Sequence, residues 1–252
     1  MIHILTPTVR PSNARRLAAA VEATVSGRYD VTLWLGVDHG QGHLYRDIPT
    51  PAWSAVRVVE YPDGFPRTLS AMTNQLEIMI ARETVYQDVY NGLIIGSLGD
   101  DHLPETRGWD EMVVETIAAG ALGVYGDDGF QHDRLPTAIF LSGWAITHLY
   151  QNHVMHPKLR HMYVDNYWRD TLGQRLVYIP EMKITHLHPF ATGQEMDASY
   201  TRTNNELAYS LDRAAYATLV GSGHVAEVAE RATQTNWKPR LPAPRTRRWD
   251  GQ

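Results

Sequence analysis

The sequence predicts an α/β fold: a mixed sheet flanked by helices and followed by a helical C-terminal segment. Three observations lead there. Short apolar runs alternate with helix-spaced segments through the first hundred residues. The stretch Asn91-Gly-Leu-Ile-Ile-Gly-Ser-Leu-Gly-Asp100-Asp101-His102 is a short apolar run without polar alternation, which suits a strand buried on both faces. Its acids then stand at the strand's C-terminal end, where open α/β sheets place their ligands.

Ile2–Leu5 opens the chain as a strand, and Thr6-Pro-Thr-Val-Arg-Pro11 follows as a stiff loop, since each proline fixes φ and removes a donor. Ser12 is read as the N-cap of a helix to about Ser26, with Leu17, Val21 and Val25 on one face and Gly27 as its stop. Val31–Val37 is the second strand and runs into Asp38. Val56–Tyr61 is the third, closed by Pro62-Asp-Gly-Phe-Pro66. Leu69, Met72, Leu76 and Ile80 give helical spacing to Arg67–Thr84, and the fourth strand ends at Asp100. Beyond it, Trp109–Ala119 reads as a helix, Leu122–Tyr125 and Thr137–Ser142 as strands, and Val164–Leu172 as a helix. Val177–His188 is extended, and Asn205–Val220 and Val225–Thr235 are helical. The division expected is 1–190 for the main domain, split into halves 1–103 and 104–190, then a helical segment 191–236 and a basic Pro/Arg-rich tail 237–252.

Composition narrows the chemistry. The chain has 252 residues, 43% of them hydrophobic and 20% charged, which describes an ordinary globular protein able to bury a core. It has no cysteine, which excludes disulfides, thiolate zinc sites and cysteine nucleophiles and fits a cytoplasmic protein. No apolar run approaches the roughly 20 residues of a membrane span. The N-terminus lacks the charged region of a signal peptide. A net charge of −5 argues against a broad nucleic-acid surface.

Adjacent acids repel, so a cation is a common reason to place Asp100 beside Asp101. A polar turn is the simpler alternative. His186-Leu-His188 sets two imidazoles at i and i+2, on one face of a strand. With Asp100, Asp101 and His102 they form an oxygen–nitrogen donor set that suits manganese or magnesium beside a phosphate-bearing substrate. A half-buried, hydrogen-bonded histidine is the alternative for each one alone. Asp165 opens a helix, where the macrodipole favours an acid in any case. Asp127-Asp128-Gly129 reads as a turn joining two strands. Glycine-rich phosphate loops and the Gly-x-Ser-x-Gly elbow are absent from the sequence.

In this order the motifs resemble the GT-A-fold glycosyltransferases of the large family 2 type, from Ile2 to about His188. The carriers are Thr6-Pro-Thr-Val-Arg10, Asp38, Thr73-Asn74, Gly99-Asp100-Asp101-His102, Asp165, Trp168-Arg-Asp-Thr-Leu-Gly173 and His186. The resemblance implies a GT-A-like (Rossmann-like) sheet and transfer of a sugar from a nucleotide diphosphate, a UDP-sugar above all, to a hydroxyl acceptor with inversion. Pro7, Thr8, Arg10, Asp38, Arg67 and Asp100 would then hold the nucleotide-sugar. Asp101 and His186 would hold Mn2+ or Mg2+, with His188 and His102 as substitutes. Asp165 would be the catalytic base. The acceptor hydroxyl could lie on protein, modified DNA, lipid or glycan. The family's Asp-x-Asp is imperfect here: either Gly99 replaces its first acid or His102 its second. Size and tryptophan content also resemble phage-encoded glycosyltransferases, which would work in the host cytoplasm. Two other functions fit the same elements, a nucleotidyltransferase and a non-catalytic sugar-nucleotide or carbohydrate-binding protein. Thr6–Pro11 lacks the glycine that the first usually carries in this loop.

Overall fold

The computed structural model describes residues 1–49, 54–83, 92–193, 198–241 and 243–244. Thr84 and Asn91, and Arg245, Arg247, Arg248, Trp249 and Asp250 of the tail, lie outside the described residues.

Among the described residues, eight strands form one sheet in the order β3-β2-β1-β4-β7-β6-β8-β5. They are β1 (Ile2–Pro7), β2 (Val31–Val37), β3 (Ser54–Glu60), β4 (Ile94–Ser97), β5 (His102–Pro104), β6 (Gly123–Asp127), β7 (Ile139–Ser142) and β8 (Leu176–His186). The first four pair in parallel through β2·β3, β1·β2 and β1·β4. β7 then runs antiparallel to both β4 and β6, and β6 and β8 are parallel again. The predicted mixed sheet with flanking helices and a helical C-terminal part is the architecture found.

The helices are α1 (Pro11–Thr24), α2 (Leu69–Glu83), α3 (Trp109–Ala118), α4 (Val164–Leu172), α5 (Pro189–Thr192), α6 (Ala198–Thr203), α7 (Glu206–Gly221) and α8 (His224–Gln234). Successive strand residues serve opposite faces of the sheet. Ile4 and Leu33 pack with Ala14, Leu17 and Val21 of α1 and Val113 and Ile117 of α3. Leu5, Trp34 and Ile95 pack instead with Leu76 of α2, Trp168 of α4, Leu219 of α7 and Val228 of α8. Both faces are therefore dry, which is why the strands read as continuous apolar runs.

Three expectations change. Ser12 is not the cap of α1: the helix starts at Pro11, with Arg10 in the cap position. Proline is pre-set for the first helical turn, and Thr8 Oγ1 accepts the Arg10 N–H at 3.1 Å, so the start is closed from upstream. The fourth strand stops at Ser97 rather than Asp100, because the His102 N–H bonds back to Gly99 C=O at 3.1 Å and folds Gly99–His102 into a turn. His186 and His188 do not share a strand face. β8 ends at His186, and His188 caps α5, its Nδ1 accepting the Phe190 N–H at 3.2 Å.

β8 bends where its pairing passes from β6 to β5. Its register jumps from Gly126↔Ile179 to Asp127↔Lys183, and a side chain at Gly126 would lie 2.0 Å from the Met182 carbonyl oxygen. This irregularity carries the end of β8 across to β5, where His102 pairs with His186.

The segment between β7 and α4 has little regular structure beyond one π turn, Ala145–Leu149. It is tied down from outside. Asn74 of α2 donates to the Met155 carbonyl at 2.8 Å and accepts the Met155 N–H at 3.0 Å. Trp168 Nε1 donates to the Val154 carbonyl at 2.9 Å. The buried Asp212 of α7 accepts the N–H groups of Arg160, His161 and Met162 at 2.7–2.9 Å. Tyr163 then turns the chain into α4 with φ of 63°, a left-handed conformation uncommon for tyrosine.

Trp237 packs against the core on both sheet faces, and Leu241 packs on the α1/α3 side. The Trp237 ring stacks on Trp144, just past the end of β7. β7 runs opposite to the parallel strands, so this point lies at the far end of the sheet from Pro7, Val37 and Ser97. The described start of the tail is thus part of the body and lies away from the C-terminal ends of the parallel strands.

Candidate functional site

The C-terminal ends of β1, β2 and β4 open on a cavity of about 620 Å³. Its wall includes Pro7, Thr8, Arg10, Asp38, Arg67, Asp100, Asp101, His102, Asp165, His186 and His188, so every residue given a binding, metal or catalytic role from the sequence lines one space.

Asp100 and Asp101 sit at the corner of the turn after β4 and are both buried. They are satisfied differently. Arg10 pairs with both oxygens of Asp100, and Thr8 Oγ1 donates to the same carboxylate. Burial pushes the Asp100 carboxyl up, against the pull of Arg10 and Thr8. Asp101 faces the two imidazoles: His102 Nδ1 is 3.2 Å from Oδ1 and His186 Nε2 is 3.7 Å from Oδ2. Burial opposes ionisation of Asp101, yet these two histidines hold its carboxyl well below the usual range. The rings of His102 and His186 stack with centroids 3.9 Å apart, as expected of directly paired residues on antiparallel strands.

The two histidines are shifted in opposite directions. Burial, and the neighbouring His186, lower the His102 imidazole against the pull of Asp101, and its Nδ1 accepts the Gly99 N–H at 3.1 Å. Burial also works against charge on His186, but Asp101 and Asp128 overcome it and raise that imidazole to about 9. Asp128 Oδ2 stands 3.8 Å from His186 Nδ1. A Cβ at Gly99 would fall 2.4 Å from Asp101 Oδ1, so a side chain there would displace that carboxylate.

One ligand atom each from Asp101, His102 and His186 lie within 4.8 Å of one another. Two buried ring nitrogens, His102 Nε2 and His186 Nδ1, have no hydrogen-bond partner among the described residues. One carboxylate and two imidazoles make a mixed oxygen–nitrogen donor set that suits a divalent cation such as manganese, with His186 Nε2 turned to Asp101 and Nδ1 to Asp128. His188 lines the same cavity as a helix cap, its ring stacked on Phe130 at 5.5 Å.

Asp165, in the first turn of α4, is half-buried on the cavity wall. Burial raises its carboxyl to about 7, and Asp128 adds to the rise while His186 opposes it. At the other end, Arg67 pairs with Asp38 at 3.1 Å. A side pocket of about 270 Å³ opens beside them, walled by Tyr61 and Phe65, whose rings stack at 5.1 Å. Arg67 is 60% exposed, so the pair is open to a ligand entering from solvent.

Three contributors were not singled out from the sequence as site residues. Asp127 is the turn residue expected, accepting the Gly129 N–H. Asp128 does more: one oxygen gathers the N–H groups of Phe130, Gln131 and His132, and the other takes the Thr137 hydroxyl and faces His186. Asp212 fixes the segment that leads into Asp165. Tyr200 of α6 donates its hydroxyl to Asp101. Nothing local in the sequence marks Asp212 or Tyr200, whereas Pro189 does announce a helix start and hence a cap at His188.

No family model matches the sequence, and no curated protein matches it. Solved structures do. The mannosyltransferase PcManGT from Pyrobaculum calidifontis, solved with GDP-Man and Mn2+, superposes with a TM-score of 0.53 at 11% identity, over 92% of this chain and 79% of that one. Residues 1–349 of S. aureus TarS superpose at 0.49 and 9% identity, over 92% of this chain and 70% of that one. The first likeness shows a shared fold. Among the described residues no helix is long and apolar enough to cross a membrane.

Proposed function

We propose that the protein is a glycosyltransferase that moves a sugar from a nucleoside-diphosphate donor to a hydroxyl acceptor, with inversion at the anomeric carbon. The observation that carries this reading is the triad Asp101, His102 and His186 on the wall of a cavity that Asp165 also lines. The fold shared with a mannosyltransferase solved with GDP-Man and Mn2+ supports it.

Asp101, His186 and His102 would hold Mn2+ or Mg2+. Such an ion supplies Lewis-acid neutralisation of the departing diphosphate, worth several kcal/mol. The remaining work belongs to the chain. Asp38 and Arg67 flank the side pocket of Tyr61 and Phe65, a setting suited to the base and ribose of a UDP- or GDP-type donor. Arg10, fixed over Asp100, and Thr8 face the phosphates. Asp165 takes the acceptor hydroxyl proton onto its carboxylate. A carboxyl raised to about 7 is half ionised near neutrality and basic enough to receive that proton. Attack assisted by one base on the face opposite the leaving group inverts the configuration. The halves 1–103 and 104–190 would divide donor from acceptor binding.

The test is a thermal-shift panel of UDP, GDP and their sugar derivatives, with and without Mn2+, on the wild type and Asp101→Ala. A ligand that binds only the folded state raises Tm by mass action. The wild type is expected to show a metal-dependent shift with one nucleotide series, and the variant none. Equal shifts with and without Mn2+ in both proteins would remove the metal-dependent reading.

A further inference from the structure

The wall of the cavity carries a contact that sugar transfer does not itself require. Tyr200 sits on α6, outside the sheet, yet reaches into the carboxylate pair. Its hydroxyl donates to Asp101 Oδ2, the oxygen that faces His186 Nε2 at 3.7 Å. Its ring covers Arg10, whose guanidinium carbon lies 4.9 Å from the ring centroid. The ring also meets His188 edge-on, with centroids 5.2 Å apart. Arg10 Nη2 approaches the same Asp101 oxygen at 3.7 Å.

A carboxylate oxygen offers two lone-pair directions. On Asp101 Oδ2 the phenol takes one, and Arg10 and His186 crowd the other. Oδ2 is the Asp101 oxygen that faces His186, so a cation shared between these two residues would meet it first. Arg10 is the harder of the two neighbours to move, because Asp100 holds it by two further hydrogen bonds. Tyr200 is held through its hydroxyl, by Asp101 and by Arg10, and rides on a six-residue helix.

We propose that Tyr200 is a gate on the cation site: its hydroxyl competes with a divalent cation for Asp101, and loading the site displaces it. The proposal rests on the reading of Asp101, His102 and His186 as the cation ligands. Displacing the ring also uncovers Arg10, so loading the cation would ready a guanidinium for the donor diphosphate.

The test uses the full chain and Mn2+ alone, with free Mn2+ followed by its electron paramagnetic resonance signal. Tyr200→Phe keeps the ring over Arg10 and deletes only the hydroxyl. Tyr200→Ala removes both and guards against a specific effect of phenylalanine. Both variants are expected to bind Mn2+ ~10-fold more tightly than the wild type, the equivalent of one hydrogen bond to a charged group that no longer has to be broken. Wild-type binding with equal or weaker binding in both variants would overturn the gate and leave the metal site standing. Absence of binding in all three proteins would overturn the cation reading itself, and the gate with it.

Discussion

Asp165→Asn separates the role of this residue from its cost. The folded protein ionises Asp165 only near pH 7, against 3.8 for an ordinary aspartate. The unfolded chain therefore releases this proton first. Between those values each rise in pH favours the unfolded state, and the loss is complete above 7. A carboxyl raised this far would cost about 4 kcal/mol, at 1.36 kcal/mol for each tenfold change in proton affinity. Asp165 opens on the cavity, where water screens it, so about 2 kcal/mol is the expected size. Asparagine has nearly the same volume and no charge. The variant should therefore gain stability over the wild type as pH rises. Most of that gain falls between about pH 4 and about pH 8, where it amounts to about 1.5 kcal/mol after the same screening. Urea unfolding of both proteins at the two pH values measures it, and differences between them cancel the titration of the other groups. Transfer should fall by roughly 10²–10⁴-fold, the range of general-base assistance, while donor binding stays within a few-fold. A stability difference that does not change with pH would refute the burial argument. Turnover near that of the wild type would refute the base assignment.

Two further substitutions test the frame around the site. Asp128→Ala strips partners from three backbone N–H groups and the Thr137 hydroxyl at a buried position. It should cost on the order of 3 kcal/mol, read as a Tm lower by roughly 6–12 °C. Trp237→Ala should cost about 2 kcal/mol, because a half-buried ring that touches both cores is lost. Its binding of Mn2+ should match the wild type, since the ring lies at the far end of the sheet. Altered metal affinity in that variant would contradict the remote placement of the tail's first residues.

Much of the architecture was legible in the sequence, for a local reason. Val31–Val37 and Val164–Leu172 match their predicted bounds because buried strands and amphipathic helices write their burial into consecutive residues. The cluster Asp100-Asp101-His102 was also legible, since three polar groups at the end of an apolar run need a purpose. What the sequence hid depends on pairing between distant segments. β5 has three residues, too few to carry a pattern, so the His102–His186 contact exists only through the register of β5 on β8. Asp128 was read as a turn residue. Its second task, facing His186, arises because β8 shifts register beside it. Tyr200 reaches Asp101 across 99 positions of sequence, and no spacing rule connects such a pair.

The stretch from Val154 to Met162 has a consequence for how tightly a ligand of the cavity can be held. Its backbone is irregular, yet Asn74, Trp168 and Asp212 grip it from three separate helices. An ordinary loop loses conformational entropy when a ligand orders it, at about 1–2 kcal/mol per residue fixed. Here that loss has already been met during folding, so little of it is charged against association. The wall beside Asp165 thus behaves like a rigid scaffold that happens to lack helix or strand, and any selectivity set there would come from fixed shape rather than from adaptation.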